Sequence, residues 1–115
     1  TRIALCHAGS PHDRSSRGLD RWAQNLRHLS TLPQVVCKLS GLGMFDHRWT
    51  NQKIAPLINT CLDQFGPERC MFGSNFPVDS LYSDYATLVA AHCKIVPKTS
   101  HTAVFGRTAK SFYNL

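Results

Sequence analysis

The sequence has no apolar run near the ~20 residues that a membrane-crossing helix needs, so that class is set aside. None of its five cysteines falls at CxxC spacing, which argues against a thiolate zinc clip. Its histidines form neither an HxH nor an HExxH pattern. Acidic residues are scarce, 7 against 13 Lys plus Arg, giving a net charge of +6. Yet no block of Lys or Arg occurs. The densest group is Arg14, Arg17, Arg21 and Arg27, interleaved with Asp13 and Asp20. That reads as a mixed solvated face suited to anions rather than a nucleic-acid footprint. There is no low-complexity tract. Thr1-Arg2 leads straight into a strand-like stretch with neither secretory signal nor initiator methionine, and the expectation is a piece of something longer.

What is present is a folding composition. Hydrophobic residues make up 43% and charged residues 17% of 115, the reverse of a disordered chain and the size of one domain. Cys6, Cys37 and Cys70 lie inside apolar runs. With an odd count and no paired spacing, they read as reduced core cysteines of a cytoplasmic protein.

Strand and helix patterns alternate along the chain. Ile3 to His7 is a short apolar run closed by Gly9, Ser10 and Pro11, hence a buried strand. Leu19, Trp22, Ala23, Leu26 and Leu29 recur at helical spacing, which predicts a helix over 19–31 stopped by Pro33. Val35 to Leu39 is β-branched and short, a second strand. Ile54, Leu57, Ile58, Cys61, Leu62 and Phe65 mark a second helix, with Thr50 or Asn51 as N-cap and Gly66-Pro67 as its end. Arg69 to Ser74 predicts a third strand; Leu81, Tyr85, Leu88, Val89 and His92 a third helix; Val104 to Phe112 a last one.

Strand ends therefore recur at His7, Ser40 and Asn75, 33 and 35 positions apart. That interval suits right-handed βα repeats with a parallel sheet, either a doubly wound sheet short of strands or part of a (β/α)8 barrel. In both, the working edge is the carboxyl end of the strands. It would carry His7, Lys38, Ser40, Asn75 and Asp79, a convergence of imidazole, ammonium, hydroxyl, amide and carboxylate that can serve a reaction. Each has a plainer reading: a hydrogen-bonded core histidine, turn serine, or Asx-turn formers around Pro77. Lys38 interrupts an apolar strand and needs a partner wherever it points. His12 and His47 lie in the two loops of that edge; His28, His92 and His101 read as surface or packing residues.

Four segments together carry a family resemblance. His7-Ala8-Gly9-Ser10-Pro11 resembles an "NHxGxP" strand end, and Cys37-Lys38-Leu39-Ser40-Gly41-Leu42-Gly43-Met44 a "vKiSGlgm" strand. Arg69 to Asp79 resembles a last barrel strand, "RcmFGSNFPVD", and Thr108 to Leu115 a closing "tAxxfYrL" helix. These are segments of the amidohydrolase-related (amidohydrolase 2) family of TIM-barrel hydrolases, which includes lactonases and decarboxylases. The resemblance implies the C-terminal portion of a (β/α)8 barrel, about strands six to eight, lacking the metal-binding HxH-type strand. It implies hydrolysis of a lactone or similar cyclic ester or amide by activated-water attack on a carbonyl. His7 would be metal ligand or electrophile, Lys38 and Ser40 would polarise or orient substrate, Asn75 and Asp79 would position water, and Arg14 and Arg17 would grip a substrate carboxylate. Much of the family carries Asp where this chain has Asn75, and an amide is no base. A divalent metal, zinc or similar, belongs to part of the family, and metal-independent members exist as well.

Two further readings stand beside the hydrolase. A half-barrel with open apolar sheet edges could be a truncated, non-catalytic chain that pairs with itself or another chain. An anion or RNA binder is the third, and it lacks interleaved exposed aromatics and basic residues on a strand.

Overall fold

The computed structural model describes residues 1–115. Three strands, β1 (Ile3–Leu5), β2 (Val35–Leu39) and β3 (Cys70–Phe72), form one sheet in the order β1-β2-β3. Both pairings are parallel, with Leu5 opposite Cys37 and Cys37 opposite Cys70. Helix α1 (Ser16–Ser30) connects the first two strands and α2 (Asn51–Phe65) the second two. After β3 come α3 (Tyr85–Ile95) and α4 (Thr108–Tyr113), the latter entered through a π-helical turn at Ala103–Arg107.

Local chemistry sets the helix starts. Ser15 Oγ accepts from the Gly18 amide at 3.1 Å, Thr50 Oγ1 from the Lys53 amide at 3.2 Å, and Asp84 Oδ1 from the Thr87 amide at 2.7 Å. Each satisfies an N–H that the first helical turn leaves without a partner. Helix α2 runs through Pro56 because the apolar stripe on either side continues unbroken. Ile54, Leu57, Ile58, Cys61 and Phe65 are all buried.

The sheet has two unlike faces. Along β2, Val35, Cys37 and Leu39 are buried while Val36 and Lys38 are only partly so. The first set meets Leu26 of α1, the apolar stripe of α2, and Val96 and Val104, in one continuous core. The second set points to the opposite face, as a period of two requires. Cys37, Cys61 and Cys70 meet as free thiols in that core, all fully buried, whereas Cys6 and Cys93 are exposed. The hydrogen bond with Cys37, and then burial, push the Cys61 thiol well up.

At the amino end of the sheet Arg69 acts as a clasp. Its guanidinium donates to the carbonyls of Ser30 at 2.9 Å, Leu32 at 3.0 Å and Val35 at 3.3 Å, and lies over the Phe65 ring. One side chain at the start of β3 thus satisfies the carbonyls of the turn between α1 and β2.

Several boundaries differ from the sequence expectation: α1 starts at Ser16 and β3 is confined to Cys70–Phe72. Strand β1 stops at Leu5, because the chain enters a left-handed turn at Cys6–Gly9. Leu81 is 77% exposed in a short 3-10 turn at Val78–Leu81, and α3 begins only at Tyr85, where Asp84 supplies the cap. No helix is long and apolar enough to cross a membrane.

Candidate active site

Parallel pairing puts the three strand ends side by side. The first turns left-handed at once: His7 has φ 54°, Ala8 φ 52°, Gly9 φ 74° and Ser10 φ 53°. Such a conformation costs about 1–2 kcal/mol for a residue with a Cβ. Contacts hold it in place. Ala8 is completely buried, its carbonyl accepts from the Trp22 indole N–H at 2.7 Å, and the Ser10 amide donates to the His7 carbonyl at 2.8 Å. The result turns the imidazole towards β2, where His7 Nδ1 lies 2.9 Å from Ser40 Oγ.

Lys38 and Ser40 share one face of β2 because they are two residues apart. Gly73, just past β3, lies against both. A Cβ built there would come 3.0 Å from Ser40 Cβ and 3.6 Å from Lys38 Cε. Ser40 is buried and Lys38 partly buried. Gly41, at φ +62°, lets the His7 ring close over the strand end.

The third strand end delivers Asn75, again left-handed at φ 56°, a conformation asparagine tolerates better than most residues. Its Nδ2 donates to Asp79 Oδ1 at 2.8 Å and approaches Met44 Sδ at 3.2 Å. Both amide hydrogens are engaged there, and Oδ1 stays available as an acceptor. Asp79 is 1% exposed, beneath Asn75, and its amide donates back to the Asn75 carbonyl at 3.0 Å.

The structure thus gathers His7, Lys38, Ser40, Asn75 and Asp79 at one end of the sheet. It separates the two arginines. Arg14 is half-buried, and its Nε and Nη2 donate to the carbonyls of Pro11 and Leu42, tying the loop after β1 to the loop after β2. Burial lowers its pKa, opposed by Asp46. Arg17 stays exposed on α1 beside Asp20, Arg21 and Gln24.

Three neighbours were not singled out from sequence. Met44 sits between Gly41 and Asn75, with Sδ 2.9 Å from where a Gly41 Cβ would lie. Trp22 anchors the turn at Ala8. Tyr82 stacks on His47 at 4.0 Å and 15°, and His47 Nε2 donates to the Met44 carbonyl at 3.0 Å, bracing the loop after β2 against the segment after β3. Trp22 reads from sequence as one more apolar residue on α1; only the indole N–H, which usually finds a partner when buried, signals a second role.

The metal expectation can be tested against these side chains. His7 engages Ser40 through Nδ1, and no three His, Cys, Asp or Glu side chains converge in a geometry that would hold an ion. A single imidazole does not make a metal site, so these residues do not fit one by themselves.

The fold and sequence are shared with known proteins. The amidohydrolase family profile matches residues 1–115. The chain is 38% identical over 117 residues to the uncharacterized protein y4mH of Sinorhizobium fredii, covering 99% of this chain and 39% of that one. It is 38% identical over 128 residues to the L-fucono-1,5-lactonase of Burkholderia multivorans, covering 98% and 43%. Among solved structures, an amidohydrolase of Burkholderia multivorans with bound HEPES superposes with a TM-score of 0.91 at 36% identity, covering 99% of this chain and 45% of that one. A structure with bound zinc, from the same organism, gives 0.91 at 35%. The chain spans about two fifths of the length of the curated relatives it matches. Its parallel βα repeats are the part of a (β/α)8 barrel that the order of its motifs implies, and the chain belongs to the amidohydrolase family.

Proposed function

We propose that the full-length protein hydrolyses a sugar-type lactone or similar cyclic ester, and that this chain supplies one side of the reaction rim. The observation that carries the proposal is the His7–Ser40 hydrogen bond of 2.9 Å, which joins two strand ends 33 residues apart. The lactonase relatives at 38% and 30% identity support the substrate class.

In the reaction a water oxygen adds to the lactone carbonyl, the ring C–O bond breaks, and the departing ring oxygen takes a proton. The product is an open hydroxy acid. With Nδ1–H donating to Ser40 Oγ, Nε2 of His7 carries a bare lone pair and can take the proton from the attacking water. The Lys38 ammonium, on the same face of the sheet, stabilises the negative charge that develops on the carbonyl oxygen. Asn75 cannot act as a base, but its free Oδ1 can accept from the water and orient it. Asp79 lies too deep to touch substrate and acts by holding Asn75. Arg14 serves the site by joining two loops through their carbonyls, and the mechanism makes no use of Arg17.

The test is steady-state hydrolysis of a sugar-lactone panel, L-fucono-1,5-lactone included, by the full-length protein with and without chelator. His7→Ala and Lys38→Ala should each lower kcat/KM by about 10²-fold or more. A protein that opens no lactone, or both variants retaining full activity, would refute the assignment.

A further inference from the structure

The loop after β2 and the segment after β3 touch through two side-chain pairs, and both bear on Asn75. In the first, Asn75 Nδ2 lies 3.2 Å from Met44 Sδ. In the second, the His47 and Tyr82 rings stack at 4.0 Å and 15°. Hydrogen bonds join the two pairs on either side. Within the loop, His47 Nε2 lies 3.0 Å from the Met44 carbonyl, which can only accept, so Nε2 carries the hydrogen. Within the segment, the Tyr82 amide donates to the Asp79 carbonyl at 3.0 Å, and the Asp79 amide to the Asn75 carbonyl at 3.0 Å. Asn75 Nδ2 also donates to Asp79 Oδ1 at 2.8 Å. The contacts close into a ring that runs from Asn75 through Asp79, Tyr82, His47 and Met44 back to Asn75.

The soft member of this ring is Met44. A thioether is a weak acceptor on a side chain with three rotatable bonds, so it steadies an amide only where its own backbone is held. The Met44 amide donates to the Gly41 carbonyl at 3.2 Å, which fixes one side of the residue. On the other side the loop turns away towards α2, where the Trp49 amide donates to the Asp46 carbonyl at 3.1 Å and Asp46 pairs with Lys53 at 3.2 Å. Phe45 meets His12 edge-on at 6.0 Å, a contact with the loop after β1. The His47 ring is therefore what carries the Met44 carbonyl across to the segment after β3. Met44 Sδ also lies against Gly41, the residue on which the His7 ring rests, so its placement reaches both groups that handle the water.

We propose that the His47–Tyr82 stack is a latch that closes the loop after β2 onto the segment after β3 and sets the Asn75 amide, so that His47 and Tyr82 are positioning residues of the rim. The stack is ring on ring, so the role needs an aromatic side chain at position 82 and not a hydroxyl. The imidazole at position 47 supplies both the stacked face and the N–H that holds Met44. The effect on turnover rests on the proposed use of Asn75 in hydrolysis; the latch itself does not.

The experiment is carried out on the full-length protein. His47→Ala and Tyr82→Ala should each lower kcat about tenfold with KM little changed, as expected when a reacting group is misplaced and no substrate contact is lost. Tyr82→Phe keeps the ring and should keep wild-type kcat. The double variant should lose no more than either single one, because both remove the same contact. In an Asn75→Ala background, His47→Ala should cost nothing further. The side-chain amide resonance of Asn75 in 15N spectra should move in His47→Ala and Tyr82→Ala and stay in place in Tyr82→Phe. His47 is exposed, so His47→Ala reads the latch even if Tyr82→Ala does not fold. An unmoved Asn75 resonance in His47→Ala overturns the latch, and so does a Tyr82→Phe variant that behaves as Tyr82→Ala. A resonance that moves while kcat stays at the wild-type value removes the positioning role, as does a His47→Ala loss that persists in full without the Asn75 amide. If the resonance responds but no lactone is hydrolysed, the proposed function fails while the latch stands.

Discussion

Gly41 and His7 fit each other so closely that any side chain on the glycine would displace the imidazole. A Cβ at Gly41 would lie 2.7 Å from His7 Nδ1 and 2.9 Å from Met44 Sδ, with the backbone at φ +62°. Gly41→Ala should therefore break the His7–Ser40 hydrogen bond and lower both kcat/KM and Tm of the full-length protein. Wild-type kinetics in that variant would show that the ring contact is dispensable.

Two other glycines give opposite expectations for stability. A Cβ at Gly18 would fall 2.4 Å from the Asp13 backbone carbonyl, a clash that no rotamer relieves. Gly106 has nothing within 4 Å of such a Cβ and an ordinary negative-side backbone. Gly18→Ala should destabilise, and Gly106→Ala should stabilise by about 0.4–1 kcal/mol, because it narrows the unfolded ensemble without straining the fold. Paired denaturant titrations would read both signs.

Thiol accessibility should divide the five cysteines cleanly. Cys6 and Cys93 are exposed, whereas Cys37, Cys61 and Cys70 are fully buried in the core. Brief alkylation of the native protein followed by peptide mass mapping should mark the first two and spare the other three until denaturant is added. Rapid native labelling at Cys61 would contradict the packing of α2 on the sheet.

The cap at α3 has a pH signature. Hydrogen bonds from the amide and hydroxyl of Thr87 hold the Asp84 carboxyl below its usual range. A depressed carboxylate pKa gives stability that is fully present above the unfolded value of about 3.9 and is lost as pH falls through the folded one. Asp84→Ala should thus lower Tm at pH 7, and the gap to wild type should shrink as the pH is brought below about 4. A gap that stays constant to low pH would mean the cap does not depend on charge.

Much of this architecture is legible in the residues themselves. Val35–Leu39 forms the expected strand because the adjacent β-branched Val35 and Val36 open a short apolar run broken only by Lys38. The second helix ends at Phe65 because Gly66-Pro67 follows it. The parallel arrangement follows from the near-constant interval between strand ends, and with it the meeting of His7, Lys38, Ser40 and Asn75. What the sequence hides is the departure from regular backbone. Nothing local announces that Ala8 adopts positive φ, since alanine does not favour it; the Trp22 indole 14 positions away helps hold the turn. His92 reads as a packing residue on a helix, and its edge-on contact with Phe72 exists only once α3 folds against the end of β3. Leu81 shows the opposite failure, an apolar residue at helical spacing that ends up in solvent because Asp84 starts the helix later.

The clasp formed by Arg69 has an implication for how such a domain can change over time. Its three carbonyl partners lie at the sheet end remote from the imidazole and amide groups, so cohesion is secured where no reaction occurs. Loops at the opposite end are then free to vary in length and content without loosening the scaffold, and new substrates can be reached by altering one end while the other keeps the strands together.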